Sequence, residues 1–441
     1  MVETKIPKRI SSALLNSLTV GVVPRVGLEH IAIGRNKEID ALLYDINNIE
    51  EGGACFRFIV GKYGSGKSFL LQHIRNYALE KGFVVVDSDL SPERRFVGSK
   101  GQGLANYKEL MQNMSTKTKS DGGALSLILE RWISGIQTLV AKKYFVTPED
   151  NYFLKCVEDK VFDVVNEMEG MVHGFDFARA INLYLKAYNS GDDNKKSAVL
   201  RWFRGEYSTK TEANKELGIN VIVSDDNWYE YLKLFSQFIV RAGYKGLIVI
   251  IDELVNLYKI SNSITRQSNY EKILTIFNDT MQGKAKNIGF ILGGTPQFIE
   301  DPRRGLFSYE ALKSRIEEGR FSNAGLRDMF GPVIRLEVLT SDELFFLVQK
   351  ILEIHTIHYG YQSKVRHEDL MVFMQAEFSR IGTDEFITPR EVIRDFLEIL
   401  NILYQNPNMS IQGILGEGEF EFAKSNLIDK KIHEEYAEFV L

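Results

Sequence analysis

An α/β fold is what the 441-residue sequence predicts: a parallel β-sheet core, a large helical insert and a C-terminal helical lid. Three observations predict it. Short, nearly uninterrupted apolar runs recur at Cys55 to Val60, Phe83 to Asp89, Leu247 to Ile251, Ile288 to Gly294 and Val333 to Val338, as buried parallel strands require. Stretches of helical period separate them, and such alternation is the mark of a doubly wound sheet. The first strand runs straight into a glycine-rich turn and a helix, which places a ligand at the carboxyl ends of the strands.

The elements follow in order. Residues 8–18 have helical spacing, and the irregular segment Gly21-Val22-Val23-Pro24-Arg25-Val26-Gly27-Leu28 follows. Ile31 to Ile39 leads into an amphipathic helix with Ile39, Leu42, Leu43 and Ile46 on one face. The helix after the first strand ends near Glu80-Lys81-Gly82, where the glycine supplies a stop. From Tyr107 to Lys245 the pattern is helical, with amphipathic stretches at Leu125 to Ala141 and Trp228 to Ala242 and a break at Asn189 to Asn194. That is too long for a crossover, so a helical subdomain is expected. A helix over Tyr270 to Gln282 precedes the fourth strand. Thr340-Ser341-Asp342-Glu343 is a capping box, and helices are expected over Asp342 to His358, Glu368 to Arg380 and Pro389 to Tyr404. The tail from Asn406 holds a glycine-rich acidic stretch and a short final helix. The expected organisation is an N-terminal helix and extended segment (1–30), the first part of the core (31–106), the insert (107–245), the second part of the core (246–340), the lid (341–405) and the tail (406–441).

Composition narrows the class. Hydrophobic residues make up 44% and charged residues 26%, as in ordinary globular proteins. There is no apolar run of about 18 residues and no signal-peptide core after Met1 to Arg9, so a cytoplasmic protein without membrane association is expected. Cys55 and Cys156 read as small buried hydrophobes. The net charge is −5, and the last hundred residues carry about −9, which leaves the rest mildly positive. A protein that held nucleic acid by bulk charge would be more basic, so any DNA contact is local or depends on assembly.

Gly61-Lys62-Tyr63-Gly64-Ser65-Gly66-Lys67-Ser68 fits G-x-x-x-x-G-K-S, a phosphate-binding P-loop. Glycines allow the backbone N–H groups to turn inward on phosphate oxygens. Lys67 supplies charge to the β- and γ-phosphates, the Ser68 hydroxyl suits Mg²⁺, and the helix entered through Phe69 aims its positive end at the same place. The expected ligand is ATP with Mg²⁺.

Further features fall where an AAA+-type ATPase carries them. Asp252-Glu253 after Leu247 to Ile251 reads as a Walker B element, with Asp252 for Mg²⁺ and Glu253 for the attacking water. Thr295, in Gly293-Gly294-Thr295-Pro296-Gln297, is the candidate γ-phosphate sensor; a Gly-Thr-Pro turn without such a role is the alternative. Arg315 is the candidate arginine finger toward a neighbouring subunit, with Arg303, Arg304 and Arg320 competing. Arg390, in the first turn of a helix capped by Thr388 and Pro389, is the candidate second sensor in the lid. Gly34 and Arg35 resemble the segment beside the adenine in such ATPases. His355 and His358 lack a third ligand nearby in sequence and read as structural. Thr211 to Ile219, with Lys195, Lys196, Arg201 and Arg204 near, has the outline of a helix-turn-helix, although a plain helix-to-turn junction explains it as well.

Other stretches resemble the prokaryotic BREX system ATP-binding protein family over about residues 20 to 440. They are Gly21 to Arg25 through Gly34-Arg35, Phe56 to Ile59 with its loop, Asp89-Leu90-Ser91-Pro92-Glu93-Arg94-Arg95, Thr116-Lys117-Thr118 to Leu125, and Trp202-Phe203-Arg204-Gly205-Glu206. Ser68 stands where threonine is common in that family, which keeps the hydroxyl. The resemblance implies an AAA+-like ATPase of bacteriophage-resistance islands that acts with other island proteins on DNA. The function expected is an ATP-driven switch or loader for a DNA-acting partner such as a helicase, in an ATP-dependent homo-oligomer. The alternative is a slowly hydrolysing signalling ATPase or scaffold in which ATP binding drives assembly.

Overall fold

The computed structural model describes residues 6–147, 149, 150, 152–166, 168, 170–317, 328–380 and 388–416. Expectations for Arg320 and for the tail beyond residue 416 lie outside the described residues. The chain divides into two compact units, one of residues 35–337 and one that joins residues 1–34 to residues 338–441. Helix α1 (Lys8–Thr19) belongs to the second of these.

The larger unit begins with α2 (Asn36–Glu50), β1 (Ala54–Val60), α3 (Lys67–Glu80) and β2 (Val84–Asp89). Between β2 and β3 lie α4 (Gln102–Gln112), α5 (Leu125–Tyr144), α6 (Phe153–Asn166), α7 (Gly174–Ser190), α8 (Asp193–Phe203), α9 (Lys210–Leu217) and α10 (Trp228–Arg241), across the region expected as an insert. Then come β3 (Leu247–Asp252), α11 (Val255–Tyr258), α12 (Ser263–Met281), β4 (Ile288–Gly294), α13 (Pro296–Glu300), α14 (Glu310–Ile316) and β5 (Val333–Arg335). The five strands form one parallel sheet in the order β2-β3-β4-β1-β5. β5 is shorter than the run to Val338 suggested, although the Leu336 N–H still donates to the Val60 carbonyl at 2.7 Å.

The strands are largely apolar on both faces because both faces of the sheet are covered. Ile59, Val85, Ile248, Ile250 and Ile291 pack with Leu42, Ile46, Leu70 and Ile74 of α2 and α3. Phe56, Phe58, Val84, Val86, Val249, Phe290 and Leu292 face the other way. There they join one continuous core with Trp132, Phe177, Trp202, Phe203 and Phe235 of the insert. The helices between β2 and β3 therefore share the core of the sheet. Arg57 is a buried charge on the α2 side. Its Nε and Nη2 donate to Asp45 Oδ2 and Oδ1 at 2.6 and 2.8 Å, both side chains being buried.

The edge strand β2 is closed by the segment after α4. Ser115 exchanges both backbone hydrogen bonds with Val85, at 2.8 and 3.1 Å. Arg75 of α3 fixes it, donating to Asp87 Oδ1 (2.9 Å), Ser115 Oγ (2.8 Å) and the Ser120 carbonyl (2.7 Å). The segment Asn113 to Ser115 thus covers part of an otherwise unpaired edge.

The smaller unit contains α1, α15 (Ser341–Tyr359), α16 (His367–Arg380), α17 (Pro389–Gln405) and α18 (Ile411–Gly416). Helix α1 packs on α15 and α17 and buries Leu14, Leu15 and Leu18. Capping boxes start α15 at Thr340/Glu343 and α17 at Thr388/Glu391. Among the described residues, no helix is long and apolar enough to cross a membrane.

Candidate functional site

The carboxyl ends of β1, β3 and β4 lie side by side because Val60 pairs with Gly294 in register and Ile251 with Leu292. The loop 61–66 leaves β1 there, and its first amide, Gly61 N–H, still donates to the Gly294 carbonyl at 3.2 Å. Gly66 enters α3 at φ 86°, a left-handed conformation that suits glycine. A β-carbon on Gly61 would stand 2.2 Å from Ser65 Oγ, so only glycine lets the loop close this tightly. Ser65 is buried, and its Oγ has no hydrogen-bond partner among the described residues.

Lys67 sits at the start of α3, and its Nζ donates to the carbonyls of Gly61 (2.9 Å) and Lys62 (3.2 Å). Burial pushes its ammonium down from the usual lysine range, against the opposing pull of Asp252 and Glu253. One residue on, Ser68 Oγ donates to Asp252 Oδ2 at 3.0 Å. The other oxygen, Oδ1, accepts the Glu253 amide at 2.8 Å. Glycine makes room for this carboxylate, since a β-carbon on Gly293 would lie 2.1 Å from Asp252 Oδ1. Lys62, Tyr63 and Phe69 line the rim: Tyr63 is 69% exposed, and Phe69 stacks on His73.

Glu253 has φ 61°, a left-handed backbone rare for a residue with a side chain. Its carboxyl is pushed up from the usual range by burial and by Asp252, against Lys67 and Lys259. A third carboxyl joins the group. Asp89 is the register partner of Asp252, and burial with the neighbouring acids Asp252, Glu253 and Asp87 pushes it up to about 6. Sequence reasoning quoted Asp89 within a family-like run and assigned it no role; a charged residue at a strand's carboxyl end was the available signal.

The remaining candidates are placed as follows. Thr295 follows β4, and its hydroxyl accepts the Phe298 amide at 3.3 Å as the N-cap of α13. Arg35 is buried, and its guanidinium donates to the carbonyls of Ser65 (2.8 Å) and Glu337 (2.6 Å), with Glu38 3.6 Å away. Its guanidinium thus braces the loop from behind. Arg315 lies exposed on α14, where its Nε donates to Asn278 Oδ1 at 3.2 Å. Of its competitors, Arg304 is turned inward, donating to the carbonyls of Tyr258 and Ile260 with its guanidinium over the Tyr258 ring. Arg303 is exposed.

In the smaller unit, Arg390 is the second residue of α17 and exposed, its aliphatic stem beside Gly21. Gly34, at φ 72°, passes so close to Glu343 that a β-carbon would stand 2.5 Å from Oε1. Elsewhere in that unit His355 is buried between Tyr361 OH (2.9 Å) and Asn401 Oδ1 (3.3 Å). In the larger unit, the basic residues around α9 serve internal pairs. Arg201 meets Glu212 and Glu216, Lys196 meets Asp193, and Arg204 meets Glu206. Gly218 ends α9 as a left-handed C-cap.

These residues fit a nucleotide triphosphate and a divalent cation. Glycine lets the loop turn tightly, and Ser65 Oγ is buried without a partner among the described residues. Ser68 and Asp252 present two oxygens 3.0 Å apart, the donor types Mg²⁺ takes when phosphates complete its shell. Among the described residues no group of three or more His, Cys, Asp or Glu is placed to hold a metal by protein ligands alone.

A parallel sheet whose β1 opens through a glycine-rich loop into α3, facing an Asp-Glu pair on the strand two places away, defines a P-loop-like nucleotide-binding protein. The chain belongs to the BREX system ATP-binding protein BrxC/D family, whose profile matches residues 6–419. ATP binding and a place in BREX antiviral defence come with that membership. Among curated proteins none matches the chain.

Proposed function

We propose that this protein is an AAA+-like ATPase that binds and hydrolyses ATP, and that the cycle switches or loads a DNA-acting partner within BREX defence. The observation that carries the reading is the 3.0 Å contact between Ser68 Oγ and Asp252 Oδ2, with Lys67 and Glu253 at the same edge. Lys67 faces the β- and γ-phosphates and offsets charge that builds on them. Ser68 and Asp252 would hold Mg²⁺, which would neutralise charge on the phosphate oxygens. Glu253 orients water and takes its proton, a role helped by a carboxyl shifted up from the usual range. Gly61 to Ser68 and Phe69 form the phosphate and nucleotide cradle. Thr295 contributes its hydroxyl hydrogen to the γ-phosphate side while its oxygen caps α13. Arg390 acts as the lid sensor, Gly34 and Arg35 border the base, and Arg315 reaches a neighbour's nucleotide in an ATP-dependent oligomer.

Glu253→Gln is the deciding substitution. It keeps shape and removes the base, so phosphate release should fall by about 100-fold or more while ATP binding persists. Hydrolysis insensitive to this change would overturn the catalytic reading. Phage protection that survives the loss of hydrolysis would favour the scaffold reading, in which ATP binding alone drives assembly.

A further inference from the structure

Glu253 cannot hold a left-handed backbone unaided, because such conformations persist only where the surroundings fix them. Part of the fixation is local: the Glu253 amide is bound by Asp252 Oδ1, and Leu254 N–H donates to the Gly293 carbonyl at 3.0 Å. The rest comes from Asn256, three residues on in α11. Its amide Nδ2 donates to the Leu90 carbonyl at 2.8 Å and to the Glu253 carbonyl at 3.3 Å, and its backbone N–H donates to the same Glu253 carbonyl at 3.0 Å. Leu90 answers by donating its own N–H to the Asp252 carbonyl at 3.1 Å. The exits of β2 and β3 are thus buttoned together across the backbone of the Asp252-Glu253 pair.

Leu90 is itself immobilised. Ser91 and Arg94 close a tight turn by exchanging backbone hydrogen bonds at 3.0 and 3.2 Å. Arg94 pairs with Glu109 of α4 at 3.0 Å. Beyond it, the amides of Phe96 and Val97 both donate to Oδ1 of the fully buried Asn269. The Asp89 to Arg95 run is thus a hydrogen-bonded bracket beside the Asp252-Glu253 pair.

We propose that Asn256 is a positioning residue for hydrolysis: its side-chain amide ties the strained Glu253 backbone to the 89–95 bracket and so sets the orientation of the Glu253 carboxylate. This rests on the reading of Glu253 as the water-activating base. Asn256→Asp preserves the shape and removes both donors, and Asn256→Ala removes the whole group.

The test uses the full chain, with phosphate release, fluorescent-nucleotide binding and thermal unfolding measured on each variant. Both substitutions should lower kcat roughly 10- to 100-fold, with the ATP Kd kept within about twofold. Because Asn256 acts through Glu253, adding Asn256→Ala to Glu253→Gln should lower the residual rate no further. Unchanged kcat in Asn256→Ala overturns the proposal. So does a parallel loss of nucleotide affinity and thermal stability, or a double variant slower than Glu253→Gln alone. If Glu253→Gln abolishes hydrolysis and Asn256→Ala does not lower it, only this inference fails. If hydrolysis is insensitive to Glu253→Gln, the base assignment and this inference fall together.

Discussion

Gly293 shows how a single missing atom can shape a site. The strand β4 runs between the loop strand and the acid strand, and a side chain there would occupy the space of the Asp252 carboxylate. A glycine inside a strand signals close approach of another group, but not which group. That is why Gly293 read only as the lead into Thr295. His355 makes a second point at this scale. Asn401 Oδ1 can only accept, so the ring carries its proton on Nε2, and Nδ1 accepts from Tyr361 OH. Burial holds the imidazole below its usual 6.5, with neighbouring His358 adding to the effect. The rings of Tyr359 and Tyr404 also pack against it. The unfolded chain therefore takes up this proton more readily than the folded one. Stability from this source is complete above about 6.5 and is lost as pH falls below it. Thermal melts from pH 8 to pH 5 should show that decline, and His355→Asn should flatten it; an equal slope in both proteins would contradict the assignment.

Helices and strands were legible where a local rule decides them. The box at Thr388 and Glu391 starts α17, and the apolar runs before Gly61 and Asp252 form β1 and β3. What stayed hidden depends on partners distant in the chain. The local sequence around Arg35 gave no sign that its guanidinium meets carbonyls 30 and 302 residues away. Thr295 left its two readings open, because a cap and a sensor use the same hydroxyl. Asn256 carried no motif at all, since its importance comes from Leu90, 166 residues earlier. The Asp45–Arg57 pair is another link of this kind, locking α2 to β1 just before the phosphate loop. Asp45→Ala leaves a buried guanidinium uncompensated and should cost about 3–5 kcal/mol in urea unfolding. Asp45→Ala with Arg57→Met should recover most of that loss. A loss below about 1 kcal/mol for the single variant would mean the pair is not buried in solution.

At the scale of the whole molecule, the parallel sheet was legible from its apolar strands, whereas the company kept by α1 was not. Nothing in Lys8 to Thr19 announces that its partners lie more than 300 residues further on. Assembly is also decided at this scale. Arg315 lies exposed on α14, and the trans role proposed for it is tested at this scale. Light scattering should show a larger species with ATP than without it, and Arg315→Ala should reduce hydrolysis within that species. A monomer under every condition, DNA included, would remove the trans role.

Helix α1 also sets an order of events during synthesis. It is made more than 300 residues before α15 and α17, whose surfaces bury Leu14, Leu15 and Leu18. The unit spanning residues 35–337 can collect its own core in the interval. At ribosomal speeds of about 5–20 residues per second, the nascent α1 shows its apolar stripe to the cell for roughly half a minute. Until α15 and α17 are made, that stripe is a surface a chaperone could grasp.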